Sequence, residues 1–180
     1  MRGKSHRHLG RYLVRQYMPN TPKRYIRAFL LGCVEPDKNP ATYLKGSFRS
    51  QWLRGHNYGN AQRYMRRISS RLEKKSRWNM LDYYKMGKLI HYTTDAFTYA
   101  HNESFGTKLS DHRAYEHDLQ NHFLDYLENP PLVELPELSS VMDSIQAYHQ
   151  DYERHPVGIR TDSHFALTAC CCVLSFLVAN

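Results

Sequence analysis

Apolar residues recur along this chain at intervals of three and four, and no stretch alternates with the period of a strand. Leu9, Tyr12 and Leu13 make one such stripe; Tyr64, Met65, Ile68 and Leu72 make another. The pattern predicts a first helix over Ser5–Tyr17, with Ser5 as N-cap and Pro19 and Pro22 beyond its end. A short helix over Tyr25–Val34 is expected to stop at Pro36, leaving Asp37 at the start of a loop. Further helices are expected over Asn60–Lys75, over Trp78–Ala100, from Ser110 or Asp111 onward, over Pro136–Arg154 and over Thr161–Ala179. The fold class is therefore all-α: a multi-helix bundle, read as one domain over 1–180, long enough for a full core.

One helix breaks the rule that apolar faces carry apolar side chains. Met86–Asn102 reads MGKLIHYTTDAFTYAHN and holds His91, Asp95 and His101 in an aromatic, apolar setting. His91 and Asp95 are four residues apart, hence one turn apart on one helix face. An imidazole nitrogen and a carboxylate oxygen so placed can share a metal ion. His101 follows near the helix end, in reach of a neighbouring ion. His112 and Glu116 in HRAYE repeat the same four-residue spacing one helix later. By itself such a pair is equally a buried helix with ordinary hydrogen bonds. His117 and His122 fall on other faces, and His149, His155 and His164 lack partner spacing, so all five are expected at the surface or as caps.

Charge and composition narrow this. The chain has 25 Lys and Arg against 17 Asp and Glu, a net charge of +8, which favours anionic partners such as phosphates, nucleic acid or acidic lipid. The cations Arg63, Arg66, Arg67, Arg71, Lys74 and Lys75 crowd one expected helix and most simply form its solvated face. Eleven His in 180 residues raise the prospect of a metal site. Cys33, Cys170, Cys171 and Cys172 have neither CxxC spacing nor a usual disulfide pattern and read as buried, reduced thiols, which favours a reducing compartment. The N-terminal MRGKSHRHLGRYL lacks the apolar core of a secretory signal, so a cytoplasmic location is expected. The apolar run Phe165–Ala179 is short for a bilayer span and reads as a core helix.

In order, the candidate ligands are His8, Asp37, His56, His91, Asp95, His101, His112 and Glu116. Two-metal hydrolytic sites use these donor types: one ion polarises a phosphoryl oxygen and another lowers the pKa of a water. The series resembles the zinc-dependent phospholipase C family. GKLIHYTTDAFTYAHNESF resembles its His-x3-Asp-x5-His helix, HRAYE its following His-x3-Glu, GCVEPD the segment with its early Asp, and GHNYGN the segment with its loop His. HL at His8–Leu9 resembles the His of its first helix. Related single-strand nucleases end on His-x3-Asp, so Glu116 favours the phospholipase branch. The resemblance implies a metal-dependent phosphoric diester hydrolase with two to three zinc ions. Asp37, His56, His91 and Asp95 would hold the first, and His101, His112 and Glu116 the second. His8 and Asp95 would hold a third, with Asp95 bridging, and Asp37 would double as general base. No Trp stands near the start where the family carries one, so the expected outcomes for the third ion are that it is lost, weakly held, or held with help from His6. Lys38 and Leu53 stand where choline-lipid enzymes carry aromatics, so an anionic or non-choline substrate is expected. The expected partners are a phospholipid or related phosphodiester and, peripherally, an anionic membrane. The alternatives are a single-strand nuclease and a non-catalytic, metal-stabilised module that binds lipid or nucleic acid through the basic helix.

Overall fold

The computed structural model describes residues 1–39, 58–102, 109–133 and 139–179. Among the described residues there are seven α-helices, one 3-10 turn and no strand. In chain order they are α1 (Gly3–Tyr17), α2 (Lys23–Lys38), α3 (Tyr58–Glu73), α4 (Met80–Ala96), the 3-10 turn Tyr99–His101, α5 (Leu109–Tyr126), α6 (Val141–Tyr152) and α7 (Ile159–Ala179). The all-α expectation therefore holds.

The outer helices bury one stripe each. In α1 the buried positions include His6, Leu9, Gly10 and Leu13; in α3 they are Ala61, Met65, Ile68, Ser69 and Leu72. The helix α4 is different: every residue from Met86 to Ala96 is buried. It packs against α1, α2, α3, α7 and the 3-10 turn and forms the axis of the molecule. Its start is fixed by a capping box, in which the Asn79 side chain accepts from the backbone of Asp82 while Asp82 accepts from the backbone of Asn79. Lys75 donates to Asp82 at 2.7 Å and secures that cap. Helix α7 is 21 residues long and apolar enough to cross a membrane by composition. It packs against α1, α4, α5 and α6, and 72% of its most apolar window is buried in the protein, as a core helix requires.

The closest pairing is α2 on α4. A Cβ at Gly32 would run into the carbonyl of Tyr84, and one at Gly87 into that of Phe29, so only glycine permits this approach. Lys88 pairs with Glu35 at 2.8 Å across the same seam. Tyr25 stacks on Tyr83 near the helix starts, and Asp37 faces His91 near their ends, so the two helices run in the same direction.

Several expected boundaries shifted: the helix expected to reach Ala100 ends at Ala96, and that expected from Pro136 begins at Val141. Ser5 is no cap: α1 begins at Gly3, and the buried Ser5 hydroxyl has no hydrogen-bond partner. Pro36 does not stop α2, which runs through it to Lys38 and closes with Asn39 N–H donating to the Glu35 carbonyl at 3.0 Å. The lost Pro36 donor is tolerated because α2 is held along its length by α4. Asp37 consequently sits on the last helical turn, not in a loop.

Candidate metal centre

Four side chains from three helices converge around Asp95. His6 comes from α1, Asp37 from the end of α2, and His91 and Asp95 from successive turns of α4. Each offers a ligand atom, and these atoms all lie within 4.8 Å of one another. His91 Nε2 is 3.2 Å from Asp95 Oδ2 and 3.6 Å from Asp37 Oδ1. His6 Nε2 is 3.2 Å from Asp95 Oδ1, and the two imidazoles stack with centroids 3.9 Å apart. His91 Nδ1 donates to the Cys33 carbonyl at 3.0 Å, which fixes the tautomer and leaves Nε2 for an ion.

A second cluster adjoins the first. His101 from the 3-10 turn and His112 and Glu116 from α5 again bring their ligand atoms within 4.8 Å. Glu116 Oε1 lies 3.1 Å from His101 Nε2 and 3.6 Å from His112 Nε2. Asp95 Oδ1 is 3.9 Å from His101 Nε2. Asp95 thus turns Oδ2 toward His91 and Oδ1 toward His6 and His101, the arrangement of a bridge.

Between the clusters lies the amino group of Met1. It is 2.8 Å from Asp95 Oδ1, 2.7 Å from His101 Nε2 and 3.1 Å from Glu116 Oε1. His6 Nε2 is 3.1 Å from the Met1 carbonyl. Burial alone would raise the Asp95 pKa, but the Met1 ammonium and the surrounding imidazoles outweigh it and hold Asp95 well below the usual carboxylate range. Glu116 is lowered for the same reason, against burial, chiefly by that ammonium. Burial opposes the charge on the Met1 amine, yet Asp95, Glu116 and Asp37 together raise it to about 10. His91 is raised because Asp95 outweighs burial, while His6 and His101 are lowered by burial and by neighbouring cations. The pocket thus places cationic charge between converging carboxylates, which a dipositive ion would do more strongly.

The donor sets fit zinc. Two imidazoles with two carboxylates supply four ligands in the first cluster, and two imidazoles with one carboxylate leave a tetrahedral position open in the second. Seven of the expected ligands behave as follows. Asp37, His91 and Asp95 assemble in one cluster; His101, His112 and Glu116 assemble in the other. His8 does not join either among the described residues. It lies partly exposed on α1, where burial and then the positive charge of Arg11 depress its pKa. His6 takes the place assigned to it. The signal was in the sequence: His6 is three residues before Leu9 and seven before Leu13, so it shares their face, whereas His8 cannot. The eighth, His56, lies outside the described residues, as does Leu53.

Two further groups escaped sequence reasoning. Asp162 on α7 is fully buried and accepts from Tyr99 N–H at 2.9 Å, Tyr115 Oη at 2.9 Å and Tyr152 Oη at 2.7 Å. Tyr99 precedes His101 by two residues and Tyr115 adjoins Glu116, so Asp162 ties together the two elements that carry the second cluster. Burial pushes its pKa up to about 6 despite those donors. His149, expected at the surface, is buried on α6, stacks on Tyr58 at 3.7 Å and contacts Asn102 Oδ1 at 3.1 Å. Burial lowers its pKa to about 4. With Tyr58, Tyr99, Asn102 and Tyr152 it lines a cavity of about 540 Å³ beside the 3-10 turn. Tyr92 and Phe97, by contrast, are core residues.

Fold and site together define an all-α protein with paired His/carboxylate clusters suited to a multinuclear metal centre. The sequence model of zinc-dependent phospholipase C matches residues 5–164, and the chain belongs to that family. No curated protein and no solved structure gives a significant match.

Proposed function

We propose that this chain is a zinc-dependent phosphodiester hydrolase of phospholipase C type, acting on a phospholipid or a related phosphodiester. The observation that carries the reading is Asp95, whose two carboxylate oxygens face different imidazoles of two adjoining clusters. Zinc bound there would supply Lewis-acid charge and lower the pKa of a water. His6, Asp37, His91 and Asp95 would hold one ion, joined by His56 as the resemblance implies, and His101, His112 and Glu116 another. The Met1 amine and carbonyl lie where they can add donors beside His6.

Asp37 is the proposed general base. Its side chain is 22% exposed, whereas those of His91 and Asp95 are fully buried, so it borders the open side of the first cluster. From there its carboxylate can take the proton of an attacking water. The exposed Lys38 next to it favours an anionic or non-choline head group. The four free, buried thiols support a reducing location, the cytoplasm.

Metal analysis and a substrate panel test this together. The panel holds bis(p-nitrophenyl) phosphate, phosphatidylglycerol, phosphatidylcholine and single-stranded DNA. We expect two or more zinc ions per chain, hydrolysis of a phospholipid, and loss of both in Asp95→Ala. Preference for single-stranded DNA would move the protein to the nuclease branch. Folded protein with no affinity for zinc would end the proposal.

A further inference from the structure

Six large apolar residues are strongly exposed among those described, and three of them border one hollow. Leu31 on α2 is 57% exposed, and Met80 and Leu81 at the start of α4 are 55% and 56% exposed. With Arg24, Arg27 and Tyr84 they line a shallow hollow of about 520 Å³. Single exposed apolar residues are ordinary, but three converging from two helices form a patch.

The pattern is periodic. Arg24, Arg27 and Leu31 fall at i, i+3 and i+7 of α2 and so share one outward face. Arg24 leans over Tyr25, its guanidinium carbon 4.8 Å from the ring centroid. Lys85 follows Leu81 by one turn, and Lys23 opens α2 beside Arg24. Among the described residues no carboxylate lines the hollow. The nearest acids in sequence are already engaged, Asp82 with Lys75 and Glu35 with Lys88.

We propose that this face docks on an anionic lipid bilayer. Leu31, Met80 and Leu81 would enter the headgroup boundary, with Arg24 and Arg27 meeting lipid phosphates around them. The charge selects this occupant over a second copy of the chain, since self-association through the patch would set Arg24 and Arg27 against their own counterparts. The basic face of α3 is a poorer candidate: Arg63, Arg66, Arg67 and Arg71 are exposed there, but the apolar side chains of that helix turn inward.

The patch stands apart from the metal centre. Leu31 precedes Asp37 by six residues and Met80 precedes His91 by eleven, roughly 9 and 16 Å along their helices. Docking is therefore separable from chemistry, and the two can be tested apart. Co-sedimentation with phosphatidylglycerol vesicles, against phosphatidylcholine vesicles, reads the docking. Bis(p-nitrophenyl) phosphate, a soluble substrate, reads the metal centre. Wild type should partition to the anionic vesicles by roughly tenfold or more over the neutral ones, with the excess lost in high salt. Arg24→Glu/Arg27→Glu and Leu31→Ser/Leu81→Ser should each abolish that excess and leave soluble hydrolysis unchanged. Arg63→Glu/Arg67→Glu should leave partitioning intact. The proposal is overturned by absence of vesicle binding, by binding that follows the α3 variant instead, or by a dimer that Leu31→Ser/Leu81→Ser dissolves. If no phosphodiester is cleaved, the hydrolase reading fails while the vesicle result still decides this one.

Discussion

The two ligand clusters are built on different foundations. The first rests on helices α1, α2 and α4 where they are packed most tightly. His6, His91 and Asp95 are wholly enclosed, and Asp37 reaches them because Gly32 and Gly87 let two backbones touch. The second rests on a single 3-10 turn and the first turns of α5. Its His112 is 29% exposed and its Glu116 15%. What holds it together is polar: the carboxylate of Asp162, gripped by groups adjoining His101 and Glu116. Packing positions one cluster, and a buried hydrogen-bond node positions the other. A tightly packed cluster is sensitive to changes in volume, and one tied by hydrogen bonds to the loss of a charged acceptor.

Asp95 belongs to both clusters, so its loss should erase the difference. Asp95→Ala should release zinc from both positions and lower hydrolysis by more than about 100-fold, since changes merely behind metal ligands already cost 10–100-fold. Metal analysis with steady-state kinetics reads this, and Asp95→Asn, which preserves volume, separates lost ligation from lost packing. Retention of one ion in both variants would mean Asp95 is no bridge.

Volume should single out the first cluster. Gly87→Ala forces α2 from α4 and should destabilise the fold by about 1–3 kcal/mol, visible in thermal unfolding. Zinc should be lost from the first cluster before the second.

Charge should single out the second. Asp162→Ala removes the acceptor shared by Tyr99 N–H, Tyr115 Oη and Tyr152 Oη and should cost about 1–3 kcal/mol, with weaker zinc binding mainly at the second cluster. The same carboxylate predicts a pH effect. Its pKa in the folded protein is about 6, above the ordinary 3.8. The folded state therefore binds its proton more readily, and this group's contribution to stability falls as pH rises from about 4 to about 6. As pH drops from 7 to 5, wild type should gain stability relative to Asp162→Asn, by roughly 1 kcal/mol. Urea titrations across that range check it, and a pH-independent difference would contradict the burial argument.

The smallest effect separates neighbours on α1. His8→Ala should change stability by less than about 0.5 kcal/mol and leave zinc content intact. His6→Ala should weaken metal binding beside Asp95. The opposite ranking would restore His8 as the ligand.

Spacing along one helix was legible from the chain. His91 with Asp95, and His112 with Glu116, meet because a turn of helix brings residues four apart to one face. The stripes of α1 and α3 and the all-α class follow from the same period. A distance between helices has no such rule. Pro36 read as a stop because the packing that carries α2 past it is not written in its own segment. His8 was preferred to His6 on a motif, although the local stripe pointed to His6. Asp162 and His149 gave no signal, because their partners lie tens of residues away in sequence.

The sequence alone determined which residue types can ligate and which pairs share a helix face, since both depend on local geometry. Tertiary structure decided that Asp95 faces two clusters, that the Met1 amine lies between them, and that Asp162 secures the second. Those facts depend on how separate helices cross, and at the α2–α4 seam that crossing is set by two glycines and the backbones they let meet.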